Sequence, residues 1–225
     1  MTFSIVGHCE RTNMFGVAIT TSSICVGARC PHARAGVGAV ASQNITDPSL
    51  GPAILDALEQ GLNAKTALDT IVSDRTSLEY RQLTVVDSNG MTASYTGENI
   101  LGNNAESAGE HCYAAGNLLA NESIPAAMTV AFSANGEEHL AQRLLLSLRA
   151  GLDAGGEEGD VHSAALLVVD QQPFPLVDLR VDWSDSCPVS ALQILWHDYE
   201  PQMQDYLTRA LSPADAPSYG VPGDE

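Results

Sequence analysis

The first twenty residues, MTFSIVGHCERTNMFGVAIT (residues 1–20), predict two paired β-strands joined by a short turn. Apolar and polar residues alternate in TFSIV (2–6), and MFGVAIT (14–20) is a second extended run, as is typical of strands with a buried face. Thr2 directly follows the initiator methionine. Removal of Met1 therefore leaves a residue that carries both a hydroxyl and a free α-amino group.

The composition excludes two classes of partner. Ten Lys and Arg residues stand against 28 Asp and Glu residues, a formal charge of −18. Nucleic acid and anionic membranes need a basic surface, so neither is an expected partner. No apolar run is long enough to span a membrane, and the N-terminus lacks the pattern of a secretory signal. The five cysteines have no disulfide-framework spacing, and we expect a cytoplasmic protein.

The rest of the chain alternates groups of strands with pairs of helices. Residues 22–43 predict two short strands, and two helices follow, with Ser49 and Asn63 as their caps. In YRQLTVVDSNGMTASYTG (80–97), two alternating runs flank Asn89-Gly90, which predicts a hairpin with a type I′ turn. Further elements are predicted in this order: a strand at 111–119, helices after Ser123 and over 140–152, strands at 162–170 and 176–183, and a last helix over 188–211 that is interrupted at Pro201.

Runs of strands joined to runs of helices favour antiparallel sheets with helices on their outer faces. The expected fold is therefore α+β, a four-layer α/β/β/α sandwich of two antiparallel sheets. Residues 1–211 are expected to form one domain. The composition of residues 212–225 is typical of a flexible C-terminal tail.

An N-terminal threonine supplies a nucleophile and a base in one residue. The α-amino group has an ordinary pKa of about 8, so at neutral pH a useful fraction takes a proton from the hydroxyl. Such a centre also needs oxyanion donors and a nearby cation that keeps the pKa of the amine low. The hydroxyls of TTSS (20–23) and the arginines and amides of GARCPHARAGVGAVASQN (27–44) are the candidates beside the first strand.

Seven segments, in order, resemble the domain-of-unknown-function 1028 family of bacteria and archaea. The resemblance extends from residue 1 to about residue 198. It is carried by MTFSIV (1–6), ARAGVGAVASQ (33–43), GPAILDALEQGL (51–62), RQLTVVD (81–87), AGNLLA (115–120), SAALLVV (163–169) and VDLRVD (177–182).

The resemblance implies an N-terminal-nucleophile-hydrolase-like fold and a set of site residues. It implies Thr2 as nucleophile, a supporting hydroxyl among Thr21, Ser22 and Ser23, and Arg29 or Arg34 as the cation, with Ser22, Ser23 and Arg34 as the preferred catalytic candidates. It implies oxyanion donors around Gly36, Gly38 or Gln43-Asn44. Asn117, which follows a glycine in AAGNLLA, is a further candidate for a substrate contact. The proteasome subunits of this superfamily have a carboxylate near the end of the second strand, where this chain has only hydroxyls.

Two kinds of function remain open from the sequence. The first is an amidohydrolase or peptidase that acts on a small amide or peptide, with Thr2 as nucleophile after Met1 removal. The alternative is a non-catalytic binding or assembly protein that retains the fold. No cofactor is expected, and a metal site is not favoured, because Cys25 and Cys30 lack zinc-knuckle spacing. A homo-oligomer is compatible with either function.

Overall fold

The structure is a computed structural model that describes residues 2–224. The expected removal of Met1 concerns a residue outside this range. The ten strands are β1 (Thr2–Cys9), β2 (Met14–Thr21), β3 (Pro31–Arg34), β4 (Gly38–Asn44), β5 (Arg81–Asp87), β6 (Thr92–Thr96), β7 (Ala105–Gly109), β8 (Cys112–Asn117), β9 (Ser163–Val169) and β10 (Val177–Val181). The five α-helices are α1 (Leu50–Glu59), α2 (Ala64–Asp74), α3 (Ile124–Ala134), α4 (Leu140–Asp153) and α5 (Pro188–Leu211).

The strands form two antiparallel sheets. The larger sheet has the order β10-β9-β2-β1-β8-β7, and the smaller has the order β3-β4-β5-β6. Strand β1 lies near the middle of the larger sheet, and all eight of its residues are buried. A strand covered on both faces loses the alternation of burial, which explains why so much of β1 is apolar.

Three apolar layers hold the sandwich together. Phe3 and Ile5 of β1 pack under α3 and α4, and α5 covers β9 and β10 of the same sheet. Helices α1 and α2 cover the smaller sheet. Between the sheets, Val6 and Val17 contact Ala41 and its neighbours. Successive residues of β1 therefore point to opposite faces, toward the helices or toward the smaller sheet. The predicted α/β/β/α sandwich of two antiparallel sheets is confirmed.

The turn between β5 and β6 differs from the prediction. A type I′ turn needs positive φ at both central residues, but only Gly90, with φ of 73°, has it. The Asp87 carboxylate instead accepts hydrogen bonds from the backbone N–H groups of Asn89 and Met91. Its second oxygen accepts from the N–H of Ala64 at the start of α2. The hairpin is correct, but the type I′ turn is wrong, because Asp87 organises a wider loop.

The last helix also differs from the prediction, since α5 continues through Pro201 without interruption. A proline inside a helix removes one backbone hydrogen bond. Contacts on both sides compensate here: Tyr199 and Met203 pack against the larger core, and the Tyr199 hydroxyl donates to the Leu176 carbonyl at 2.8 Å. Tertiary packing therefore keeps the helix continuous.

The described part of the C-terminal segment contains a short 3-10 turn at Pro213–Asp215. The Arg209 guanidinium lies 3.8 Å from the ring centre of Tyr219. Flexibility of this segment stays a prediction. In residues 2–224, none of the helices combines the length and the apolar character needed to cross a membrane.

Close packing of α4 on β2 depends on Gly16. A Cβ at this position meets the Leu167 carbonyl oxygen at 2.6 Å and a Leu144 methyl at 2.8 Å. We predict that Gly16→Ala lowers the free energy of unfolding by about 1–3 kcal/mol, because the buried backbone has no room to yield. Gly136→Ala, where the nearest atom is 4.0 Å away, is the control and should change it by less than about 0.5 kcal/mol. Equal effects in urea unfolding would contradict this packing.

Candidate active site

Thr2 lies at the beginning of a central strand, and its side chain points between the two sheets. It shares a strand face with Ser4 and Val6, both of which contact the smaller sheet. Only 6% of Thr2 is exposed. Its hydroxyl oxygen lies 3.0 Å from the hydroxyl oxygen of Thr21, with either group able to donate.

Four neighbouring strands place polar side chains in one row beside Thr2. Thr2 is paired with Thr21 on one side and with Asn117 on the other. Thr21 is in turn paired with Ser163 of β9. All four side chains are buried. We call these residues, Ser163, Thr21, Thr2 and Asn117, the polar row.

Amides from the smaller sheet face the polar row across the gap between the sheets. Ser4 donates to the Gln43 side chain at 2.7 Å, and Gln43 donates to Gln82 at 2.8 Å. Asn117 donates to the same Gln82 oxygen at 3.3 Å. The second amide hydrogen of Gln43 is donated to the Ala115 carbonyl, and Gln82 donates to the Gly116 carbonyl and to the Thr96 hydroxyl. The two sheets are thus joined at this end by hydrogen bonds as well as by apolar contact.

The structure brings several of the expected site residues close to Thr2. Ser22 and Ser23 directly follow Thr21, and the Ser23 N–H donates to the Thr21 hydroxyl at 3.3 Å. Asn117 is completely buried, and its side-chain oxygen Oδ1 has no partner among the described residues. That oxygen is available to an amine or a water beside Thr2. Gln43 is less available, because its two amide hydrogens are already donated.

Asn44 lies at the margin of this region. Its side chain donates to the Tyr80 carbonyl and accepts from the N–H of Leu101. Leu101 in turn accepts a hydrogen bond from the N–H of Leu118, the residue after Asn117. Asn44 therefore organises a neighbouring loop, with both ends of its amide in use.

Arg34 and Gly36 are not brought together with Thr2. Arg34 is paired with Gly38, five residues along β4 from Gln43, a separation of about 17 Å. The Arg34 guanidinium forms ion pairs with Asp56 and Glu59 of α1, each at 2.8 Å. Gly36 lies in the exposed turn beyond it. The expected cation is therefore engaged by α1 at the opposite end of the smaller sheet.

A buried carboxylate that the sequence analysis missed lies at this end of the larger sheet. Glu157 forms an isolated antiparallel bridge with Leu119, two residues beyond Asn117. Glu157 is 6% exposed, and neither carboxylate oxygen has a hydrogen-bond partner among the described residues. In the sequence, DAGGEEGD (153–160) signals only the end of a helix. Nothing in that pattern marks Glu157 as buried.

Burial raises the pKa of Glu157 from its ordinary value of 4.5 to about 8. The positive charge of the amino terminus and the Ser22 amide act in the opposite direction. The Ser22 amide is thus close enough to lower the pKa, although no hydrogen bond of normal geometry forms. The carboxyl group is therefore mostly uncharged at neutral pH in the free protein.

Gln82 was also missed, although the sequence holds a signal for it. Leu83 and Val85 face the helices, and Val86 faces the larger sheet. Gln82 is in phase with Val86, so it is a polar residue on the inner face of a strand buried on both sides. Within residues 2–224, no group of three or more His, Cys, Asp and Glu side chains is arranged to hold a metal ion.

Replacement of Glu157 should increase stability above about pH 5. The folded protein binds the proton of the Glu157 carboxyl more tightly than the unfolded chain does. The stability that this proton gives to the parent chain is therefore complete below about pH 4.5 and is lost as the pH rises through about 8. We predict that Glu157→Gln is more stable than the parent at pH 8 by on the order of 3–5 kcal/mol, with little difference at pH 4. The titrating groups that both chains share contribute equally to their free energies of unfolding and therefore cancel in the difference between them.

The measurement is urea unfolding of both chains between pH 4 and pH 8.5. Glu122→Gln, at an exposed position, is the matched control and should follow the parent at every pH. A Glu157→Gln variant that is less stable than the parent at pH 8 would show that the charged carboxylate has a stabilising partner.

Comparisons with known proteins agree with this architecture. The model of the family of unknown function DUF1028 matches residues 2–192. A crystal structure of a DUF1028 protein from Silicibacter pomeroyi is 32% identical, covers 91% of this chain and 89% of its own, and superposes with a TM-score of 0.84. No curated protein is similar enough to count as a match.

Two weaker structural likenesses involve Anbu proteins. Anbu (ancestral beta-subunit) from Yersinia bercovieri is 10% identical over 97% of this chain and 100% of its own, with a TM-score of 0.42. An Anbu mutant from Hyphomicrobium sp. strain MC1 is 12% identical over 90% and 96%, with a TM-score of 0.40. Such low TM-scores carry no information about chemistry. The family model and the Silicibacter pomeroyi structure show that this chain belongs to the DUF1028 family.

Proposed function

We propose that this protein is an N-terminal-nucleophile amidohydrolase or peptidase that acts on a small amide, with Thr2 as the nucleophile once Met1 has been removed. The observation that carries the proposal is the position of the Thr2 hydroxyl. It is buried at the start of a central strand, within hydrogen-bond distance of a second hydroxyl and beside an amide oxygen that has no partner among residues 2–224.

The chemistry follows from the two groups that Thr2 then carries. The α-amine takes the proton from Oγ1, directly or through a water, as Oγ1 attacks the carbonyl carbon of the amide. The same proton goes to the departing nitrogen as the C–N bond breaks. A water then hydrolyses the ester on Oγ1, again with the amine as base.

The surroundings of Thr2 support these steps. Thr21 shares a hydrogen bond with the nucleophile and so orients it. The Oδ1 of Asn117, which has no partner in the part of the chain that the structure describes, accepts a hydrogen bond from the amine or its water and so holds the base in place. Burial keeps bulk water away and strengthens each of these interactions. The backbone N–H of Ser22, which directly follows Thr21, is the candidate oxyanion donor, because that of Ser23 is already donated to the Thr21 hydroxyl.

The proposal predicts a covalent adduct at Thr2. Incubation with a β-lactone probe, followed by digestion and mass mapping, should give an ester on a peptide that begins with Thr2. The rate should rise with pH and level off above about pH 8, because the unprotonated amine is the base. Thr2→Ala should abolish the adduct, and Thr2→Ser should retain it.

Thr12→Ala is the matched control, because Thr12 lies exposed in the turn at the other end of β1. It should react as the parent does. Thr2→Ala should cost only about 1 kcal/mol of stability, the value of one buried hydrogen bond. Retention of Met1 on protein from its native host, or an adduct that survives in Thr2→Ala, would contradict the proposal and favour the non-catalytic alternative.

A further inference from the structure

A cavity of about 500 Å³ lies between the segment that joins α4 to β9 and the loop that joins β10 to α5. We call it the acidic cavity. Its lining includes Glu157, Glu158, Asp160, His162, Asp185 and Cys187. A volume of this size suits a small organic ligand.

The acidic cavity adjoins the polar row. The backbone N–H of His162 donates to the Thr21 carbonyl at 2.8 Å, and the N–H of Ser184 donates to the His162 carbonyl at 2.8 Å. The His162 ring stacks on Trp183 with 4.3 Å between ring centres. These contacts fix one wall of the acidic cavity to the end of β2. A ligand in the cavity therefore lies next to the strand that flanks Thr2.

The lining carries charge of one sign. Four of its residues are carboxylates, and it contains no lysine or arginine. Among the ion pairs within residues 2–224, none involves these four carboxylates. Because Glu157 stays mostly protonated in the free protein, the charge comes from Glu158, Asp160 and Asp185. Carboxylates without an ion-pair partner around a concave, partly enclosed space produce a negative potential inside it. That potential favours a cationic group over a neutral or anionic one.

Glu157 is the observation that distinguishes this cavity from a solvated acidic surface. The residue is 6% exposed, and both carboxylate oxygens are buried without hydrogen-bond partners among the described residues. A buried carboxylate without a partner is costly, and it avoids much of that cost here by remaining protonated. A cation that enters the cavity supplies the missing partner.

We propose that the acidic cavity binds a guanidinium or ammonium group of the ligand, with Glu157 as its buried counter-ion. This rests on the proposed function, since it places the cationic group of the substrate beside the amide that Thr2 attacks. On binding, the Glu157 carboxyl releases its proton to solvent and forms an ion pair with the ligand. The substrate class is thus a small amide that carries a positive charge.

The amino terminus of the chain is the rival partner for Glu157. Its charge acts on the carboxyl group, and after Met1 removal the amine belongs to Thr2. In that case Glu157 would position the amine, and the charge of an added ligand would not matter. The two assignments differ in whether a guanidinium gains affinity over its neutral counterpart.

Isothermal titration calorimetry with two matched probes tests the proposal. N-Acetylarginine amide carries a guanidinium, and N-acetylcitrulline amide replaces it with a neutral urea of similar shape. We expect the cationic probe to bind at least about tenfold more tightly to the parent chain. Glu157→Gln should reduce the preference to less than about threefold, whereas Glu157→Asp, which keeps the charge, should retain part of it.

Proton release gives a second readout. Titrations at pH 7 in buffers of different ionisation enthalpy should show release of nearly one proton per cationic probe in the parent and almost none in Glu157→Gln. The other titratable groups that surround the site are Glu158, Asp160, His162, Asp185, Cys187 and the amino terminus, and all are unchanged in this variant. Glu122→Gln should behave as the parent.

Equal binding of the two probes by the parent would overturn the proposal. A preference that survives in Glu157→Gln would overturn it too. The same holds if Glu157→Gln loses the reactivity of Thr2 while its binding of both probes is unchanged, because Glu157 would then position the amine. The failure of the proposed function is seen separately, because Thr2→Ala should keep the preference for the cationic probe. A preference for the guanidinium without any adduct at Thr2 therefore supports the cation site and contradicts only the hydrolase.

Discussion

The hydrogen bonds between the two sheets are the constraint on which the candidate site depends. Away from Thr2 the sheets meet mainly through apolar side chains, but at its end they are joined by Ser4, Gln43, Gln82 and Asn117. Buried amides are favourable only when they are satisfied, and three of these four side chains have all their bonds. The network therefore fixes the spacing of the sheets and so the depth of Thr2.

Two groups beside this network have no hydrogen-bond partner within residues 2–224, and both lie at the Thr2 end of the larger sheet. One is the Asn117 oxygen Oδ1, and the other is the carboxylate of Glu157. Each costs stability in the free protein. Buried polar atoms that lack partners next to a buried hydroxyl are more typical of a binding or catalytic site than of a structural core. The proposed roles of Thr2 and Glu157 assign a ligand or a reacting group to each of these atoms.

The sequence predicts the architecture well because burial patterns are local. Alternation and helical spacing identify the sandwich, and Thr2, Ser22 and Ser23 follow from their places at two adjacent strand ends. Which strands pair with each other depends instead on contacts between segments that are far apart in the chain, and local patterns do not show those contacts. Arg34 faces away because β3 pairs with the start of β4, and the short edge strand β7 has too few apolar residues to be recognised. Glu157 is far from Thr2 in the sequence, and only the folded chain places the two residues at the same end of the larger sheet.

The free amine of Thr2 is the central claim, and nitrogen NMR of the folded chain with ¹⁵N-labelled threonine measures it most directly. The account predicts that one threonine nitrogen has the chemical shift of an amine and that this shift titrates with pH. The Thr2→Ala chain should lack that signal. Contradiction would come from a Thr2 nitrogen with an amide shift that does not change between pH 6 and pH 9, because Oγ1 would then have no base beside it.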